Sequence, residues 1–181
     1  MLKTLSTSAA LLAVLAISLP AQNSPKLPPS GKAVDITSEE MQAFLRAHPY
    51  GDDMMRMIDV GSLDVGVSLL RYQKTTTPRT SAIIHSDVPE VYYVISGEAT
   101  FVTGGTMENV KDMPAGNPAV RELSGPTWTG LIKDGVSRHV GPGDVVMIPA
   151  WTPHFASDVK SDIVFLVVRM DPKKLVQLKE K

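Results

Sequence analysis

From Met57 onward the chain is written in short apolar, β-branched runs separated by turn residues, at residues 65–72, 81–85, 91–95 and 99–103. Nothing of helical length and period stands between these runs, so the segments have to pair with one another. Further runs at 138–140, 144–148 and 163–170 continue the pattern. Many short strands without intervening helices predict an all-β sandwich or barrel. Side chains alternate between the two faces of a strand, so the residues at alternate positions decide what the interior can do.

Elements of another kind flank the strands. Thr37-Ser-Glu-Glu40 has the form of a capping box, and Met41, Phe44 and Leu45 share one helical face. This predicts a short N-terminal helix ending near Ala47, before Pro49 and Gly51, laid across the outside of the barrel with His48 at its C-terminal end. Asp171-Pro172 reads as an N-cap followed by a first-turn proline, which predicts a short C-terminal helix over 173–179 with solvated lysines. Residues 104–134 hold five glycines and three prolines. They read as a long loop at the rim of the barrel, with room for short strands at 121–123 and 130–132.

Residues 1–21 carry one charge, Lys3, followed by an apolar run at 9–19 and then Pro20-Ala21. That order is the signature of a secretory signal peptide, and the run is shorter than the roughly 20 apolar residues a bilayer span needs. The expected product is periplasmic or secreted, with a flexible Pro- and Ser-rich leader at 22–32 and one domain over 33–181. The chain has no cysteine, hence no disulfide and no cysteine-borne membrane anchor. With 18 Lys and Arg against 19 Asp and Glu, the formal charge of −1 gives no basic face for nucleic acid or membrane.

The chemistry-bearing residues fall on the strands. Ser81, Ile83 and His85 share one face, and Glu90, Tyr92 and Val94 share one face of the next strand. If both faces point inward, His85 and Glu90 meet across the turn, and His154, after Pro149 and Pro153, enters from another strand. Two imidazoles and a carboxylate suit one divalent ion of Fe, Mn, Ni, Zn or Cu and leave coordination positions open.

At this point the chain resembles the cupin superfamily, small jelly-roll β-barrels marked by two motifs. The first, G-x5-H-x-H-x3–4-E-x6-G, is matched at His85, Glu90 and Gly97; the second, G-x5-P-x-G-x2-H-x3-N, is matched at Gly143, Pro149 and His154. The resemblance covers roughly residues 60–170, taken as the barrel core. It implies a metal held by His85, Glu90 and His154. It departs from the motifs where Ile83 stands in place of the family's first histidine, Trp151 in place of a glycine and Asp158 in place of an asparagine. Three of four usual ligands remain.

Two principal readings stay open. One is an exported metal-dependent enzyme acting on a small organic molecule by oxygenase, isomerase or lyase chemistry, with Tyr72 or Tyr92 orienting substrate or transferring a proton. The other is a non-catalytic barrel that binds a small ligand without metal, a reading that Ile83 favours by making the pocket more apolar. In a third reading the barrel is degenerate and kept for assembly, with outward Val91, Tyr93 and Ile95 pairing two copies, as implied by the homodimers common among similar barrels. Trp151 and the two tyrosines are expected in the pocket wall or core, Trp128 over the mouth, and His139 as a structural histidine.

Overall fold

In the computed structural model, residues 32–177 are described. The expected signal peptide, all but the last residue of the leader and the end of the expected C-terminal helix lie outside them.

Helix α1 (Ser38–Ala47) starts where the capping box puts it. The Glu40 amide donates to Thr37 Oγ1 at 3.1 Å, and the Thr37 amide donates to Glu40 Oε2 at 2.8 Å. Each side chain thereby satisfies an amide left free by the first helical turn. None of its residues is buried, and an Arg56–Glu40 ion pair at 3.2 Å ties it to the first strand. His48 follows it, stacked on Phe44 and paired with Asp53 at 3.2 Å.

The strands are β1 (Gly51–Asp59), β2 (Asp64–Tyr72), β3 (Ser81–His85), β4 (Glu90–Ser96), β5 (Ala99–Thr103), β6 (Thr106–Asp112), β7 (Thr127–Lys133), β8 (Val136–Val140), β9 (Val145–Ile148), β10 (His154–Val159) and β11 (Ile163–Asp171). They form two antiparallel sheets, ordered β1-β2-β11-β4-β9 and β6-β7-β3-β10-β5-β8. The pairing is nested: β2 pairs with β11, β3 with β10, β4 with β9 and β5 with β8. A long hairpin rolled into a barrel gives this order, so the fold is the all-β jelly roll of the cupin type.

The two sheets face each other across Leu70, Tyr92, Val94, Phe101, Val140, Ile148, Phe165 and Val167, all buried. Alternation puts Glu90, Tyr92 and Val94 of β4 inward, with Tyr93 and Ile95 on the exposed face beside half-buried Val91. The outward face extends onto edge strand β9, where Val145 lies opposite Tyr93 and Met147 opposite Val91. At the β4–β5 turn, Gly97 has φ +81°, and a Cβ there would stand 2.1 Å from the Asp162 carbonyl oxygen. Only glycine fits that close approach.

Three expectations are corrected. Most of 104–134 is not a loop: β6 and β7 form a hairpin that extends the second sheet beyond β3, with a bulge between Glu108 and Lys111. Its first strand, Thr-Met-Glu-Asn-Val-Lys-Asp, is exposed along almost its whole length and so carries no apolar alternation. The strand expected at 121–123 is a single π-helical turn, Val120–Ser124, while 130–132 does lie in β7.

The C-terminal helix is replaced by a turn. Asp171 spends its side chain accepting from the amides of Lys173 at 3.3 Å and Val176 at 2.7 Å. Buried Val176 then docks with Met54, Met57, Val88 and Leu123, while the Gln177 amide donates to the Arg121 carbonyl at 2.9 Å. That docking holds the tail in a path that helical winding would not follow.

Candidate metal centre

The three expected ligands arrive from three strands. His85 is the last residue of β3, Glu90 the first of β4 and His154 the first of β10, so each sits where its strand enters the barrel. All three are buried, and they form a group whose donor atoms lie within 4.8 Å of one another. The hub is Glu90 Oε2, with His154 Nε2 at 3.2 Å and His85 Nε2 at 3.6 Å.

The outer ring nitrogens fix which nitrogen faces the hub. His154 Nδ1 lies 2.9 Å from the Thr152 carbonyl oxygen, which can only accept, so Nδ1 carries the proton. His85 Nδ1 lies 3.0 Å from Thr127 Oγ1, whose own hydrogen is directed at the Gly125 carbonyl at 2.9 Å. Nδ1 of His85 therefore donates as well. With its Nδ1 protonated and its ring neutral, His85 turns the Nε2 lone pair toward a carboxylate oxygen, which is unfavourable unless a cation lies between them. Among the described residues, buried His85 Nε2 has no hydrogen-bond partner. An outward N–H held by a carbonyl or hydroxyl, with a bare inward nitrogen, is how metal-ligating histidines are set. The donor set thus fits a divalent ion.

Glu90 is held from its other side. Arg169 Nε donates to Glu90 Oε1 at 2.7 Å, and the same guanidinium donates to Asp52 Oδ2 at 2.5 Å and to Ser68 Oγ. Burial alone would raise the Glu90 pKa, but the Arg169 charge and then the histidines outweigh it and hold the carboxyl well below its usual range. Glu90 is ionised and turns Oε2, the oxygen Arg169 does not engage, toward the histidines. Burial lowers His85, with the charge of Glu90 only partly opposing, so this ring stays neutral and ligand-ready.

Tyr92 lies inside the cluster: its hydroxyl donates to Glu90 Oε2 at 3.1 Å and is 3.4 Å from His154 Nε2. Burial, and then the Glu90 charge, push its phenol well above the ordinary value. Tyr72 lines both small cavities beside the centre, its ring under the Arg79 guanidinium at 4.1 Å. One cavity, of about 90 Å³, includes Tyr92 and His154; the other, of about 140 Å³, includes His85 and Arg169. Ile83 belongs to both and is the register partner of His154, so an apolar wall stands beside the donors.

Other expectations fare differently. Trp151 is 60% exposed and stacks on Trp128 at 5.3 Å, so it is part of neither the core nor the two cavities described above. Its φ of +61° is the left-handed backbone that the family's glycine would take without strain. His139 is exposed, 3.9 Å from Glu98 and away from the centre. The residues that sequence reasoning missed are Arg169, Asp52, Ser68 and Thr127. The signal for the first was a lone charge in the apolar run of β11.

No protein-family model and no curated protein matches the chain. Among solved structures it is similar to BH2720 of Bacillus halodurans, with 14% identity over 84% of this chain and 90% of that one at a TM-score of 0.46. It is also similar to a Klebsiella pneumoniae protein with a double-stranded β-helix domain, at 16% identity over 71% and 81% of the two chains and a TM-score of 0.40. EutQ of Clostridium difficile gives 13% identity over 67% and 69%, at a TM-score of 0.37. The strand pairing described above, rather than these likenesses, carries the fold.

Proposed function

We propose that this protein holds one divalent metal ion through His85 Nε2, Glu90 Oε2 and His154 Nε2 and acts on a small organic molecule at that centre. The observation that carries the reading is the convergence of His85 Nε2, which has no hydrogen-bond partner among the described residues, and His154 Nε2 on one oxygen of a buried, ionised carboxylate. A bound metal of the Fe, Mn, Ni, Zn or Cu type supplies Lewis acidity or oxygen activation, which suits oxygenase, isomerase or lyase chemistry. Thr127 and Thr152 orient the imidazoles, and Arg169 restricts Glu90 to one coordinating oxygen. Ile83 gives the incoming molecule an apolar wall, and Tyr72 orients it from the opposite lining.

The signal peptide expected at residues 1–21 supports an exported protein. A second copy on the outward face of Val91, Tyr93, Ile95, Val145 and Met147 belongs to the same reading; a monomer at micromolar concentration by light scattering would remove that part.

Ile83 favours a second reading, a metal-free barrel that binds a small ligand. Thermal melts separate the two. A metalloprotein loses melting temperature on chelation and regains it when one divalent metal is restored in excess. A melting point indifferent to chelator and to all five metals would leave only the second reading.

A further inference from the structure

We infer that the Tyr92 hydroxyl is the fourth protein ligand of the centre, taking the part that Ile83, which offers no donor atom, cannot take. The inference rests on the metal-centre reading above and concerns how that centre is completed.

Metal–nitrogen and metal–oxygen bonds of about 2.0–2.2 Å hold adjacent donors about 3.0 Å apart in octahedral and about 3.4 Å apart in tetrahedral geometry. The separations around Glu90 Oε2 are 3.1 Å to Tyr92 Oη, 3.2 Å to His154 Nε2 and 3.6 Å to His85 Nε2, and Tyr92 Oη is 3.4 Å from His154 Nε2. The phenol oxygen thus stands at the spacing of a ligand from two of the three donors, Glu90 Oε2 and His154 Nε2. A group reaching the ion through an intervening substrate would stand farther off.

The position is also rigid. Tyr92 follows Glu90 by two residues on one strand, so both project to the same side. Its ring is buried and packed against Phe101 at 5.4 Å and Phe165 at 5.5 Å. In the structure the hydroxyl hydrogen bridges to Glu90 Oε2; on coordination that O–H bond gives way to an oxygen–metal bond and the proton leaves to solvent. Tyr72, by contrast, makes no contact with the three other donors within hydrogen-bond distance and keeps the role of orienting substrate.

Iron is the probe, because a phenolate on Fe(III) gives a charge-transfer band in the visible that imidazole and carboxylate ligands do not. The full-length protein is loaded with iron alone, oxidised, and examined by iron analysis, visible absorption and resonance Raman spectroscopy, beside Tyr92→Phe and Tyr72→Phe. The expected result is about one iron per chain in all three, with the band and tyrosine ring modes present in the wild type and Tyr72→Phe and lost in Tyr92→Phe. Iron bound to the wild type without the band, or a band that survives Tyr92→Phe or disappears with Tyr72→Phe, overturns the assignment and leaves the three-ligand centre standing. Wild type that retains no iron or other divalent metal overturns the centre itself and the assignment with it. If Tyr92→Phe does not fold, the wild-type spectrum and the Tyr72→Phe variant decide between the same results.

Discussion

At the scale of single residues, the centre depends most on one that binds nothing itself. Arg169 is 2% exposed and neutralises both Glu90 and Asp52, so its removal leaves buried Glu90 and half-buried Asp52 without that counter-charge. Breaking a buried pair from one side costs roughly 3–5 kcal/mol. Arg169→Leu should lower unfolding free energy by about that much in urea titrations run with chelator; a loss below about 1 kcal/mol would show the network to be idle. Arg169 was legible only as an anomaly, a charge among Ile, Val, Phe and Leu in β11. Its partner Asp52 lies 117 residues away, and no local pattern links the two. Glu90 and His85 were legible because a turn of four residues joins the strands that carry them and alternation puts them on inward faces.

At the scale of elements, the positions fixed by backbone geometry can be read and the exposed ones cannot. Gly97 closes the β4–β5 turn at a φ where a side chain is strained, against the backbone of Asp162 and Ile163. Gly97→Ala should cost at least about 2 kcal/mol, since the chain must both adopt an unfavourable dihedral and move apart. A melting temperature within a degree of the wild type would contradict that packing. The β6–β7 hairpin was hidden for the opposite reason: β6 buries no face, so neither a period of two nor a run of apolar residues marks it. β1 was not among the expected strands, because Asp52 and Asp53 interrupt its apolar pattern while Asp52 is engaged by Arg169 and Ser68. The C-terminal helix failed because Asp171 and Pro172 fit an N-cap equally well as a turn, and the choice is made by Val176 reaching the core.

At the scale of the whole molecule, the buried centre couples folding to pH. The folded His85 titrates below the usual 6.5, chiefly because of burial, so between the folded and unfolded values the unfolded chain binds more protons. Its contribution is complete above about pH 6.5 and is lost as pH falls through the folded value. Glu90 acts in the same direction: its folded value lies well below the usual 4.5, and its contribution is kept above that pH and lost on further acidification. Metal-free protein should therefore melt at progressively lower temperature as pH is brought from 8 to 4, with the first decline below about 6.5. A melting point that is level or rises between pH 7 and pH 5 would contradict this account of the interior charges.

All of these effects converge on the space bounded by His85, Glu90 and His154, and the most direct measurement looks there. Crystals of protein loaded with zinc, with diffraction recorded on either side of the zinc absorption edge, should show one strong anomalous peak in the barrel at about 2.0–2.2 Å from His85 Nε2, Glu90 Oε2 and His154 Nε2. A barrel with no anomalous peak at that point, in protein whose fold is intact, would contradict the metal centre.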